Sequence, residues 1–155
     1  MIARWIAVVA TLVALSLPAF AQDKAREDVE STLSAIVRVR AKIIPNARSL
    51  QTLGPQREGS GVLVREGFVA TIGYLVIESE AIEVTGADGK TVPASLAGYD
   101  HASGFGLLKL LAPLAGKPLP IGNSNSAAER EPALVAGYGA DGVNRACVRE
   151  TGVSQ

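Results

Sequence analysis

The strongest constraint on the fold is a run of short segments that alternate apolar and polar residues or are apolar throughout. The first is IVRVRAKI, whose apolar residues share one face and whose cations share the other: Val37, Val39, Ala41 and Ile43 against Arg38, Arg40 and Lys42. A period of two is typical of a half-buried β-strand. We interpret the three cations as the solvated outer face of that strand rather than as an anion site.

Turn signals separate the segments that follow. GVLV and FVAT flank Arg65-Glu66-Gly67, a spacing that predicts a three-residue hairpin with glycine at the position of positive φ. AIEVT and TVPASLAGY flank the five residues 86–90, in which Asp-Gly is a strong turn signal. The last segment, Phe105 to Leu111, is continuously apolar enough to predict a strand buried on both sides.

Six short strands with almost no helix between them predict an all-β antiparallel barrel or sandwich over residues 37–111. The predicted core includes eight strand residues: Val37, Val39, Val62, Val64, Ile82, Val84, Leu107 and Leu108. Before this unit, residues 22–34 predict an N-terminal arm or short surface helix. After it, residues 112–130 contain the proline, glycine and serine typical of a linker, and residues 131–155 contain two further strand segments.

The first 21 residues predict a secretory signal peptide. Arg4 precedes an apolar run from Trp5 to Leu17, and Ala19-Phe20-Ala21 has the small-x-small pattern of a cleavage site. The alternative is an uncleaved anchor, although the run is shorter than the ~20 residues that cross a bilayer. We therefore expect a periplasmic or secreted protein that begins near Gln22 and has no membrane attachment after cleavage.

Charge and composition exclude several functions. The chain has 15 basic and 15 acidic residues, so nothing favours binding to nucleic acid. Cys147 is the only cysteine, and we interpret it as a buried small hydrophobe in a strand, with a reactive or intermolecular thiol as the alternative. One histidine and one cysteine do not provide a zinc site, and no phosphate-binding or dinucleotide-binding motif occurs. We therefore predict no cofactor.

Three segments with specific spacing resemble the trypsin-like serine proteases of the high-temperature-requirement type (HtrA or Deg). GSGVLVREGFVATIGYLV, from Gly59, resembles the family's Gly-Ser-Gly-Val hairpin and Thr-Asn-x-His-Val. IEVTGADGKTVPASLAGYDHASGFGLLKL resembles its strand, Asp-Gly turn and Asp-x-x-x-Asp-Leu-Ala-Val-Leu-Lys, and LPIGNSNSAAEREPALVAGYG resembles its interbarrel segment. The resemblance implies a complete first trypsin-like β-barrel at residues 35–111, an interbarrel linker at 112–130 and the start of a second barrel at 131–155.

The resemblance also implies that the catalytic triad is degenerate. Tyr74 occupies the histidine position, and a phenol is a poor general base because its ordinary pKa is about 10. Gly104 occupies the aspartate position and has no side chain. The Gly-Asn-Ser-Gly-Gly motif of the nucleophile would follow in strands beyond Gln155, which makes the chain a C-terminally truncated member. The apolar residues around Tyr74 predict a buried ring with its hydroxyl at the rim of the former cleft.

Other candidates for catalysis have simpler interpretations. His101, next to Asp100, could form a relocated dyad, but it lies at neither triad position, and a single loop histidine is usually exposed. Ser60, between two glycines, lacks the Gly-x-Ser-x-Gly elbow and the helix that follows it. Ser124 and Ser126 are interpreted as polar residues of the linker.

Three functional hypotheses remain. The first is an exported pseudoprotease with a binding or regulatory role, or a remnant, whose unknown partner could be unfolded polypeptide or another periplasmic protein. The second is an active serine endopeptidase completed by an unusual arrangement or by another chain. The third is a small secreted all-β interaction module.

Overall fold

The fold is described from a computed structural model that covers residues 30–126, 128, 133–138 and 144–149. The chain divides into two units, 1–31 and 32–155, and the strands described below belong to the second. Residues 30–33 are helical, and the rest of the predicted arm and the predicted signal peptide lie outside the described residues. Among the described residues, no helix is long and apolar enough to cross a membrane.

Six strands form a closed antiparallel barrel. They are β1 (Ile36–Ile43), β2 (Gln56–Arg65), β3 (Phe68–Ile72), β4 (Ser79–Thr85), β5 (Thr91–Tyr99) and β6 (Phe105–Leu110). Their order around the barrel is β1-β2-β3-β6-β5-β4, with every neighbouring pair antiparallel. The all-β prediction is confirmed, and of the two predicted architectures the barrel is the correct one. Two helical turns interrupt it, α1 (Leu50–Leu53) and α2 (Gly73–Val76).

Both predicted hairpins form, with glycine at positive φ in each turn. Gly67 has φ 73° and Gly89 has φ 78°. The first turn is shorter than predicted, because Arg65 pairs with Phe68 and leaves only Glu66 and Gly67 between the strands. The register shifts between Leu63 and Arg65, so the third residue is absorbed as a β-bulge in β2.

The predicted core of β1 and β4 is confirmed, but the predicted face of β2 is wrong. Leu63 is buried, whereas Val62 and Val64 are only half-buried. The inward row of β2 contains Gly61, where a Cβ would come within 2.8 Å of the Val39 side chain. Some inward positions of β2 are glycine, whereas the outward positions include Val62 and Val64. The alternation of apolar residues therefore predicts that the outward face of β2 is the buried one.

The prediction that β6 is buried on both sides is also wrong. Its residues alternate strictly, with Gly106, Leu108 and Leu110 inward. Phe105 and Leu107 point outward and are 59% and 36% exposed. An apolar run therefore corresponds here to a strand that buries one face and leaves apolar side chains on the other.

The segment after the barrel follows the barrel wall. Leu114 and Leu119 pack against the core, and the N–H of Leu119 donates to the carbonyl of Leu63 at 2.8 Å. The two predicted strands beyond it form a two-stranded antiparallel sheet, β7 (Ala133–Tyr138) and β8 (Asn144–Arg149). β7 contacts β1 and β2. Cys147 lies in β8, and the predicted burial of its side chain falls outside what the structure describes.

Candidate active-site region

Tyr74 lies on the single helical turn α2, which directly follows β3. The next two side chains, Leu75 and Val76, are buried in the core, whereas Tyr74 points away from it and is 49% exposed. The predicted buried ring is therefore wrong. A helical turn changes the direction of successive side chains by ~100°, so the apolar neighbours in sequence do not surround the tyrosine ring in space.

The turn that contains Gly104 lies directly against α2. The N–H of Gly73 donates to the carbonyl of Gly104 at 2.8 Å, and the N–H of Gly104 donates to the carbonyl of Asp100 at 2.8 Å. Gly104 has φ 75°, a conformation that residues with a side chain adopt at a cost. The structure therefore brings together the two segments that the sequence singles out, and backbone groups join them.

Gly73 of α2 lies tightly against the Tyr99 ring of β5. A Cβ at Gly73 would lie 1.9 Å from the ring of Tyr99 and 2.9 Å from the carbonyl oxygen of Gly104. Only a residue without a side chain allows the ring and the turn to approach this closely. The position of Tyr74 therefore depends on the glycine that precedes it.

Asp100 and His101 form no dyad in the described geometry. The Asp100 carboxylate accepts hydrogen bonds from the Ser103 hydroxyl and from the N–H of Ala102 at 3.0 Å. The Ser103 bond is the main cause that lowers the pKa of Asp100. The ring of His101 instead packs edge-on against Tyr99, with 4.5 Å between ring centroids. The carboxylate therefore stabilises its own turn.

The serines singled out in the sequence have structural contacts. The Ser60 hydroxyl accepts a 2.7 Å hydrogen bond from the N–H of Tyr138, so it links β2 to β7. Ser124 and Ser126 lie exposed in a short 3-10 helix, where Ser126 donates to the carbonyl of Asn123 at 2.7 Å. Neither arrangement has the strand-to-helix elbow of an activated serine nucleophile.

Sequence reasoning missed one polar cluster beside α2. Arg57, in β2, is 5% exposed, and its guanidinium donates to the carbonyl of Tyr74. The signal was present in the sequence, because Arg57 occupies the same inward-facing alternate positions of β2 as Gly59, Gly61 and Leu63.

In the part of the chain that the structure describes, no group of His, Cys, Asp and Glu side chains could hold a metal ion.

The closed barrel with its short helix between β3 and β4 places the chain in the trypsin-like structural class. Two similar solved structures are the active and inactive forms of the Rv3671c protease, the active one from M. tuberculosis. The active form has a TM-score of 0.62 and 22% identity, with 76% of this chain and 48% of that chain covered. The inactive form has a TM-score of 0.59 and 23% identity, with 76% and 51% covered.

The family follows from the match to its sequence model. Residues 59–155, more than half of the chain, match the trypsin-like peptidase domain, and the chain belongs to this family. The resemblance to trypsin-like serine proteases that the sequence indicates is thereby confirmed. The chain spans about half the length of the two solved proteases. None of the curated protein sequences matches it.

Proposed function

We propose that this chain is an exported trypsin-like protease homologue without proteolytic activity, which acts by binding polypeptide. The observation that carries the proposal is the pairing of Tyr74 and Gly104 in adjoining turns, linked by the bond between Gly73 and Gly104. Serine protease chemistry requires an imidazole that accepts the serine proton and a carboxylate that orients it. A phenol and a glycine at these places supply neither group.

Exposed apolar side chains beside the turn support the binding role. Ile72 and Phe105 are partners across β3 and β6, and they are 48% and 59% exposed. Tyr74 follows Ile72 by two residues and is itself 49% exposed. Neighbouring apolar side chains at a surface favour contact with apolar segments of another polypeptide. Unfolded polypeptide, which presents such segments, is the partner class that we propose.

A serine-directed fluorophosphonate probe tests the loss of activity. We expect no labelling of the purified chain and no cleavage of fluorescent casein, under conditions in which an active trypsin-like protease reacts with both. Labelling that maps to one serine by mass spectrometry would instead support the active endopeptidase. The same measurement on Ser60→Ala would show whether Ser60 is that residue.

Fluorescence anisotropy with a labelled, permanently unfolded protein tests the binding role. We expect Phe105→Ser to weaken binding, because it removes the most exposed ring beside the turn. Leu111→Ser is the matched control, since Leu111 is 60% exposed but lies beyond the opposite end of β6. Equal effects of the two variants, or no binding by the unmodified chain, would contradict the proposal.

Export is proposed on the sequence of residues 1–21. Mass spectrometry of the protein recovered from a bacterial periplasm is expected to give an N-terminus at or near Gln22. A mature protein that retains Met1 would contradict cleavage at this site.

A further inference from the structure

Arg57 is a charged residue in an interior position. Burial of a charge is costly unless its N–H groups find acceptors. One terminal nitrogen of Arg57 donates to the carbonyl of Tyr74 and, at 3.3 Å, to that of Ile77. The last carbonyls of a helical turn have no partner within the turn itself. Arg57 therefore supplies donors to the C-terminal end of α2.

The other terminal nitrogen of Arg57 connects to the loop between β1 and β2. It donates to the Ser49 hydroxyl at 2.5 Å, and that hydroxyl in turn donates to the carboxylate of Glu78. The Glu78 carboxylate also accepts the N–H groups of Arg48 at 3.2 Å and Ser49 at 3.1 Å. A continuous chain of hydrogen bonds thus runs from β2 through the loop to Glu78, the second residue after α2.

Glu78 is held in an unusual backbone conformation. Its φ is 59°, and it is the one non-glycine residue with positive φ within the described ranges. Such a conformation persists where surrounding contacts enforce it. The carbonyl of Glu78 accepts the N–H of Ile44 at 3.0 Å, so both its backbone and its side chain bind the loop.

We propose that Arg57, Ser49 and Glu78 form an acid-sensitive latch that fixes α2, and with it Tyr74, to the loop between β1 and β2. The α2 turn lies outside the hydrogen-bonded ladder of the barrel. Release of the latch therefore loosens the C-terminal end of the turn, where Arg57 binds the carbonyls of Tyr74 and Ile77, while the six strands stay paired. The position of Tyr74 is thereby coupled to the surface loop that contains Ser49.

The sign of the acid response follows from the contacts of Glu78. Its hydrogen bond from Ser49 is the main cause that lowers its pKa, followed by the peptide N–H of Ser49, while Arg57 contributes through its charge. The neighbouring Glu80 pairs with Lys42 at 2.9 Å. A lowered pKa means that the latch is fully held above the ordinary value of about 4.3 and weakens as pH falls through the lowered value.

Hydrogen exchange measured by NMR tests the latch. The N–H of Ile77 reports on α2 because it donates to the carbonyl of Gly73 at 3.0 Å, and the amides of Val39 and Val84 report on the barrel. At pH 7 we expect Glu78→Gln and Ser49→Ala each to lower protection at Ile77 by about tenfold, as for the loss of one charge-assisted hydrogen bond. Protection at Val39 and Val84 should change by less than about twofold.

The matched control is Glu58→Gln, the same substitution at a carboxylate that pairs with Arg38 at 2.6 Å on the outer face of the barrel. In the unmodified chain and in this control, protection at Ile77 relative to Val39 should fall as the pH drops below about 4.3. In Glu78→Gln it should stay constant. Equal loss of protection at Ile77 and Val39, or an unchanged acid response in Glu78→Gln, would overturn the latch.

Discussion

The N–H of Gly73 lies 2.8 Å from the carbonyl oxygen of Gly104, and this hydrogen bond joins the turn that carries Tyr74 to the turn before β6. The two segments that the resemblance assigns to the histidine and the aspartate are therefore held by main-chain contacts. Side chains are not needed to keep them together. A substitution of the Tyr74 side chain, or the addition of a side chain at Gly104, therefore removes no side-chain contact that holds the two turns together.

Restoration of both side chains should not restore proteolysis. In Tyr74→His with Gly104→Asp, an imidazole and a carboxylate would be present, but the 155 residues contain no Gly-Asn-Ser-Gly-Gly segment for them to activate. We expect no casein cleavage above the level of the unmodified chain. Tyr74→His alone should change the free energy of unfolding by less than about 1 kcal/mol, because the ring is half exposed. Turnover by the double variant would refute the pseudoprotease proposal.

Substitutions at Gly104 should be penalised by the backbone alone. A Cβ there would have no atom within 4 Å, but the φ of 75° disfavours a side chain. Gly104→Ala should therefore lower the free energy of unfolding by about 1 kcal/mol, and Gly104→Asn by less, since asparagine tolerates this conformation. Gly98→Ala is the control, because Gly98 has equal space and no positive φ. Urea unfolding measures all three, and equal effects at Gly98 and Gly104 would contradict the interpretation.

A methyl group at Gly73 should be costly for a different reason. It would overlap the Tyr99 ring and press on the carbonyl of Gly104. We expect Gly73→Ala to lower the free energy of unfolding by about 1 to 3 kcal/mol, as for overpacking elsewhere. In the background of Tyr99→Leu the same change should cost less, and a double-mutant cycle by thermal melting measures the difference. Strict additivity would mean that the two side chains do not meet.

Two adjacent leucines in β6 should respond very differently to truncation. Leu108 is completely buried and Leu107 is 36% exposed. Leu108→Ala should cost about 2 to 5 kcal/mol of unfolding free energy because it leaves a cavity, whereas Leu107→Ala should cost less than about 1 kcal/mol. Chemical denaturation gives both values. Similar losses would indicate that β6 is buried on both sides after all.

The Ser103 hydroxyl should determine part of the acid stability of the turn that precedes β6. Because its bond lowers the pKa of Asp100, the carboxylate stabilises the fold above its unfolded pKa of about 3.9, and this contribution is lost as pH falls through the lowered value. Ser103→Ala should raise the pKa of Asp100, as followed by NMR titration. The stabilities of the two proteins should differ at pH 6 and converge in strong acid. An unchanged Asp100 titration would contradict this assignment.

The strands could be predicted from the sequence because period-two patterns and Asp-Gly or Glu-Gly turns act locally. The face of β2 could not, since Gly61 and Arg57 at inward positions conceal the alternation that normally identifies the core. The exposure of Phe105 and Leu107 could not be predicted either, because β6 has apolar residues on both faces. Apolar residues on both faces of β6 give the same pattern whether the outer face is covered or open to solvent.

The helical turn α2 could not be predicted from the sequence either, and its presence changes the expected environment of Tyr74. Four residues are too few for a helical period to be visible, so the apolar neighbours of Tyr74 in sequence predicted a buried ring. The contact between Gly73 and Tyr99 is equally hidden, because it joins residues 26 positions apart in the chain (99 − 73 = 26). Long-range close approach leaves no local signal in the sequence.

Closure of the barrel determines where this chain can recruit additional strands. Among the described strands, each barrel strand pairs with two neighbours, whereas β7 and β8 pair as strands only with each other. Unpaired strand edges are the usual template for intermolecular β-pairing and aggregation. Aggregates of this protein should therefore grow from β7 and β8. In such aggregates, β7 and β8 would form the cross-β spine of the fibril, and the barrel would stay folded outside the spine.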